Sequence, residues 1–117
     1  FISSEVDNND LIHFYNAASL FIYPSKAEGF GIPPLEAGAM KTPVICSNAT
    51  AMQDFRFFEQ NHINTDDYIL FKKTIEENLN NKRRDSDLNI ISNTIREKYS
   101  WEKSAQRLID TIKNDLE

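Results

Sequence analysis

A chain of 117 residues, 40% apolar and 26% charged, has the make-up of one globular domain with a modest core. The net charge of −5 argues against a nucleic-acid footprint and against docking on anionic lipid through this segment alone. No apolar run approaches the ~20 residues of a membrane span, no secretory signal is visible, and the single cysteine forms no internal disulfide and suits a reducing cytosol.

In chain order, Phe1-Ile2 reads as the end of a strand that began upstream, and a first residue of Phe rather than Met fits a fragment or a processed product. Asp7 or Asn8 can cap a helix over about residues 9–18, in which Leu11, Phe14, Tyr15 and Ala18 fall on one apolar face. Leu20-Phe-Ile-Tyr23 is a continuous apolar run stopped by Pro24, the pattern of a parallel strand buried on both faces. Residues 24–33 form a loop with two of the three glycines, a helix is expected from about Pro34 to Met40, and Pro43-Val-Ile-Cys46 is the next strand. Residues 20–46 thus make a strand–helix–strand crossover, right-handed on general grounds. Cys46, inside an apolar strand, reads as a small buried hydrophobe, and Asn48-Ala-Thr50 as a coincidental glycosylation sequon.

Residues 51–58 suggest a short helix with an exposed or docking aromatic cluster, Phe55, Phe57 and Phe58, and residues 59–66 read as polar and irregular. Three helices follow. The stripes are Tyr68, Phe71, Ile75 and Leu79 in the first, and Leu88, Ile91, Ile95 and Tyr99 in the second. The third is capped by Ser100 and carries Trp101, Ala105, Leu108, Ile109, Ile112 and Leu116 on its inner side. Lys82-Arg-Arg84 reads as a solvated linker between helices. The strands lie in the first 46 residues, so the expected fold is an α/β, Rossmann-like parallel sheet with flanking helices, too thin to stand as an independent fold.

The chemistry concentrates in Glu28-Gly-Phe-Gly-Ile-Pro-Pro-Leu-Glu36. Gly29 and Gly31 let the backbone approach a ligand, and successive amides can form a nest for anionic or hydroxyl oxygens. Pro33 and Pro34 are tolerated at a helix start, whose partial positive charge favours phosphate, with the Leu35 and Glu36 amides free to donate. The loop follows the C-terminal end of a strand, where open α/β sheets bind ligands. Glu36, expected near the first turn, can accept from the vicinal hydroxyls of a ribose, and Glu28 can read a sugar on the far side of the glycines. From spacing alone Glu36 is also readable as a favourable helix-terminal charge worth ~0.3–1 kcal/mol, and Glu28 as a solvated loop acid. Phe30 reads as a loop anchor whose backbone contributes to binding.

This stretch, preceded by Phe21-Ile-Tyr-Pro-Ser25, closely resembles the E-x7-E signature of the retaining nucleotide-sugar glycosyltransferases, glycosyl transferases group 1 (family 4). Asp10 to Ser19, Thr42 to Asn48 and Tyr99-Ser-Trp-Glu102 resemble the flanking helix, the next strand and the entry to the closing helix. The resemblance implies two Rossmann-like domains in a GT-B arrangement, with this chain as part of the C-terminal, donor-binding domain and 67–117 its helical portion. It implies that Glu28 contacts donor-sugar hydroxyls near the transferring carbon, as the candidate catalytic residue, in the role of hydrogen bonding and stabilising positive charge on the sugar ring rather than that of a proven nucleophile. It implies further that Gly29, Phe30, Gly31, Ile32 and Leu35 serve the sugar and phosphates and that Glu36 holds the ribose. Transfer would retain the anomeric configuration and need no metal or other cofactor, the donor being a nucleoside diphosphate sugar. The acceptor, a saccharide or lipid-linked chain, would belong to a missing N-terminal domain, in an enzyme of cell-surface polysaccharide synthesis. The expected location is cytoplasmic, peripheral to the inner membrane face through the missing domain.

The sequence departs from the family pattern in four places. The basic Arg and Lys pair would lie upstream of Phe1. Lys41 stands where a glycine is usual, at a cost of ~1–2 kcal/mol if that site is left-handed. Gln53-Asp54 replaces a Pro-Glu pair, and a polar segment around His62-Ile-Asn64 replaces a Gly- and Pro-bearing stretch. The isolated stretch is therefore expected to be inactive. The alternative is a non-enzymatic nucleotide-sugar-binding or scaffold module, and a purely structural Rossmann-like interaction domain is a third class.

Overall fold

The structure, a computed structural model, describes residues 5–116. The strand expected at Phe1-Ile2 lies outside them. Helix α1 (Asn8–Ala17) starts where the sequence places a cap: the Asp7 carboxylate accepts from the Asp10 amide at 2.8 Å. Strand β1 (Phe21–Tyr23), helix α2 (Ile32–Ala39) and strand β2 (Val44–Ser47) form the expected crossover, with Phe21 opposite Val44 and Tyr23 opposite Cys46 in parallel register. All four residues of β2 are buried, as befits the middle strand of a parallel sheet.

The third strand is a correction. Residues 59–66 are not wholly irregular, because His62–Ile63 forms β3 and pairs in parallel with β2, Cys46 opposite His62 and Ser47 opposite Ile63. The sheet order among the described residues is therefore β1-β2-β3. The stretch before β3 is not one helix but two 3-10 segments, Thr50–Asp54 and Arg56–Asn61. Its aromatic cluster is not exposed: Phe55 and Phe58 are among the most buried side chains, and Phe57 packs beside Phe58 at 4.7 Å between ring centroids. They join Met52, Leu35, Ala37, Ile91 and Ile95 in one apolar core.

The C-terminal half has three helices, α3 (Tyr68–Asn80), α4 (Asp85–Lys98) and α5 (Trp101–Leu116). In α4 the expected stripe is buried at Leu88, Ile91 and Ile95. The acids Asp85 and Asp87 in its first turn and the bases Arg96 and Lys98 in its last turn complement the helix dipole. In α3 the stripe is only half realised: Phe71 and Ile75 are partly covered, Tyr68 and Leu79 are exposed, and the buried residue is Thr74. Polar pairing attaches this helix instead, since Asn78 and the buried Asn61 exchange side-chain amide hydrogen bonds at 2.9 and 3.0 Å. In α5 no residue is buried, so Trp101, Leu108, Ile109, Ile112 and Leu116 do not face an interior of the described chain. The linker between α3 and α4 is less solvated than its composition suggests, because the nearly buried Arg83 side chain pairs with Glu59 at 3.2 Å. Among the described residues no helix is long and apolar enough to cross a membrane.

Two backbone positions set the frame of α2. Gly38 lies where α4 crosses: a Cβ there would come within 2.5 Å of Ile95 Cδ1 and 3.0 Å of Phe58 Cε1. At the helix end Lys41 does adopt a left-handed conformation, φ 64°. Its amide donates to the Gly38 carbonyl and the Thr42 amide to the Ala37 carbonyl, both at 3.0 Å, which is a Schellman ending with lysine in the place glycine fills most easily.

Candidate functional site

The acidic loop leaves the C-terminal end of β1 and enters α2. It is pinned from outside by the Thr50 hydroxyl, which donates to the Lys26 carbonyl at 3.0 Å, and by an ion pair between Lys26 and Asp66. Gly31 is the residue the fold demands here. Its φ is +86°, and a Cβ on it would come within 2.8 Å of Met52 Cγ and 2.9 Å of Phe55 Cε2. Gly29 is different: it lacks a positive φ, and a Cβ there would meet nothing within 4 Å. The fold has no need of a glycine at 29, whereas a ligand approaching the backbone would. Among the described residues the amides of Gly29, Phe30, Gly31 and Ile32 donate to no acceptor, so four consecutive donors are unpaired at this turn, that of the buried Gly31 included.

Helix α2 begins at Ile32 rather than Pro34, with Gly31 as its cap and prolines just inside it. Glu36 therefore opens the second turn, just past the first, and the first turn holds no acid. Because the dipole effect fades within one turn, the helix-terminal reading of Glu36 loses its ground. A tyrosine holds this acid instead: the hydroxyl of the buried Tyr15 donates to Glu36 Oε2 at 2.9 Å. Burial, then the Glu36 carboxylate, raises the pKa of this phenol well above its usual value.

Glu28 is solvated, as a loop acid would be, but it is also held. Its Oε1 accepts from Ser25 Oγ at 2.6 Å and from the Tyr23 hydroxyl at 2.7 Å. These two donors, Ser25 foremost, lower the Glu28 carboxyl below the usual carboxylate range, while the Tyr23 phenol is raised by the same bond. Among the described residues Glu28 Oε2 and Glu36 Oε1 accept no hydrogen bond, so each acid keeps one oxygen for a ligand hydroxyl.

Phe30, Ile32, Leu35 and Glu36 come together along one open cleft of about 520 Å³, completed by Tyr99 and Trp101. Glu28 and Gly29 stand outside its lining. Phe30 is half exposed and its ring meets Tyr99 edge-on at 5.8 Å, the position of a loop anchor. A cleft of about 560 Å³ at the N-terminal end of β2, beside Lys41, Pro43 and Lys82, contains no expected site residue.

Residues 1–97 match the family model described as Glycosyl transferases group 1. The chain belongs to this family. Among curated proteins, this family member is 33% identical over 103 residues to the serotype-specific mannosyltransferase WbdA of Escherichia coli, which covers 88% of the chain and 13% of that protein. It is 49% identical over 49 residues to the O-antigen chain mannosyltransferase B of Escherichia coli, 42% of the chain and 13% of that protein. It is 39% identical over 72 residues to the O-antigen chain mannosyltransferase RfbU of Salmonella typhimurium, 62% of the chain and 20% of that protein. The chain thus spans a small part of the length of these relatives. No solved structure matches it.

What sequence reasoning missed in this group 1 chain are the partners of the two acids: Tyr15, Tyr23 and Ser25. A signal existed. Tyr15 and Tyr23 are tyrosines on faces where Phe14 and Phe21 show that phenylalanine is at hand, and a covered phenol normally has an acceptor.

Proposed function

We propose that this chain is the donor-binding part of a retaining glycosyltransferase of GT-B architecture, in which it supplies half of the cleft. The observation that carries the proposal is the loop itself: four unpaired amides between two carboxylates, each fixed through one oxygen and open through the other. That is the polarity of a sugar–pyrophosphate–ribose ligand. Amides meet the pyrophosphate oxygens, Glu36 takes the ribose hydroxyls and Glu28 the hydroxyls of the sugar. Leu35 forms the floor beside Glu36.

In the transfer, the bond from the anomeric carbon to the phosphate oxygen breaks and the nucleoside diphosphate leaves with the electron pair. The acceptor hydroxyl bonds to the same carbon on the face just vacated and passes its proton to the phosphate oxygen that has left with the electron pair. Positive charge grows on the sugar ring meanwhile, and the Glu28 carboxylate is placed to stabilise it. No metal enters this scheme. The relatives are named as mannosyltransferases, two of them of O-antigen chains, so mannose from a nucleoside diphosphate and a growing cell-surface polysaccharide are the donor and acceptor classes proposed. The 117 residues alone are proposed to be inactive, since acceptor contacts and half the cleft lie outside them.

The test uses the full-length parent protein with nucleoside diphosphate mannose. Glu28→Gln is expected to lower kcat by about a hundredfold or more, Glu36→Ala to weaken donor binding about tenfold or more, and NMR of the product to show the donor's anomeric configuration. Transfer at the unmodified rate by both variants would overturn the site, and an inverted product would overturn the retaining mechanism.

A further inference from the structure

Each of the two acids accepts from a tyrosine on another element, Glu28 from Tyr23 of β1 and Glu36 from Tyr15 of α1. The two tyrosines are also joined. The rings of Tyr15 and Phe21 meet edge-on at 5.4 Å, and those of Phe21 and Tyr23 lie nearly parallel at 6.0 Å and 13°. The Tyr15 carbonyl is fixed in turn by the Thr42 hydroxyl at 2.6 Å, and the Phe21 and Tyr23 backbones are in register with Val44 and Cys46. A three-ring ladder therefore runs from α1 along β1, with a phenol at each end and a carboxylate on each phenol.

We propose that Tyr23 and Tyr15 are positioning residues of the donor site, Tyr23 together with Ser25 orienting Glu28 toward the sugar, and Tyr15 fixing Glu36 against the ribose. The inference rests on the reading of the two acids as donor ligands and goes beyond it, because it assigns the groups that make those acids competent.

The physical need is specific. A carboxylate next to a pyrophosphate is surrounded by like charge, which raises its affinity for a proton. A protonated Glu28 would donate rather than accept and could not meet positive charge on the sugar ring. Two short hydroxyl donors on the same oxygen oppose this, because they bond to the charged form more strongly than to the neutral one. They also decide which oxygen faces the ligand: Oε1 is used up, so Oε2 is presented. No cation does this work among the described residues. The nearest in the loop, Lys26, is engaged with Asp66, and the ionisable group in contact with Glu28 is the Tyr23 phenol. At Glu36 the partner is a single buried phenol, which fixes the rotamer without a second donor.

Tyr23→Phe and Tyr15→Phe keep every ring of the ladder and delete one oxygen each. In the full-length parent protein, Tyr23→Phe is expected to lower kcat roughly tenfold, to leave the donor KM within about twofold, and to move the acidic limb of the kcat–pH profile to higher pH. Ser25→Ala on the Tyr23→Phe background moves that limb further. Tyr15→Phe is expected to raise the donor KM roughly tenfold with kcat kept within about twofold. A merely structural tyrosine would change stability without moving the limb, and circular dichroism spectra matching the unmodified protein secure the comparison. If Glu28→Gln is inactive while Tyr23→Phe leaves kcat and the acidic limb in place, the positioning role falls and the reading of Glu28 stands. If Glu28→Gln transfers at full rate, the reading of the site falls and this inference with it.

Discussion

Helices α4 and α5 run 14 and 16 residues, and each carries an apolar stripe at helical spacing. One is built into the core and the other buries nothing. Helix α4 buries Leu88, Ile91, Ser92 and Ile95, and it also ties off its neighbour: the Ser92 hydroxyl and the Arg96 guanidinium both donate to the Ala39 carbonyl at the end of α2, at 2.7 and 3.2 Å. Helix α5 leaves Trp101 and Leu116 almost wholly in solvent. An apolar period therefore says that a face gains from cover, and a second, polar set of contacts separates the helix that is docked from the one that is not.

The contrast can be broken at its strong side first. Ile95→Ala removes a side chain 4% exposed from the core and is expected to cost about 2–5 kcal/mol in urea unfolding of the chain. Gly38→Ala attacks the same contact from α2. Its Cβ would sit against Ile95 Cδ1 and Phe58, so a net loss of about 1–2 kcal/mol is expected after the gain in helix propensity. With Ile95→Val, which deletes Cδ1, the added cost of Gly38→Ala should shrink, a coupling that a double-mutant cycle reads directly. Lys41→Gly, at the same end of α2, relieves a left-handed lysine and should stabilise by about 1 kcal/mol. On α5, Ile112→Ala should change the unfolding free energy of this chain by less than about 0.5 kcal/mol. A cost there equal to that at Ile95 would abolish the distinction between the two helices.

Much of the sheet frame was legible in the sequence because its signals are local. Asp7 caps α1, the apolar runs at 20–23 and 43–46 do form parallel strands, and the prolines open α2 within two residues of the expected start, but only β2 is buried on both faces: β1 is half-buried and its Ile22 is exposed. Strand β3 was not legible. It is two residues long, and its pairing to β2 lies in the backbone, about which the side chains of His62 and Ile63 say little. The burial of Phe55 and Phe58 was missed for a related reason: 3-10 segments place neighbouring side chains off the helical period on which the reading relied. In the site, the two acids and the glycine turn were visible as a motif. Their hydroxyl partners were not, because the 21 positions separating Tyr15 from Glu36 are bridged only once α1 and α2 pack on the sheet.

Cys46, the one thiol of the sequence, sits at the centre of β2 with no exposed surface, and burial pushes its pKa up to about 12 from 9.0. A group raised in this way supports the folded state fully below pH 9 and loses that support as the pH climbs toward 12, so unfolding should become easier over that alkaline range. At neutral pH the same burial makes the thiol a clock. An alkylating reagent can reach it only while the sheet is open, so the rate of labelling in native buffer measures how often β2 lets go of its neighbours. Core substitutions such as Ile95→Ala should speed that clock, and Ile112→Ala should leave it running at its original pace.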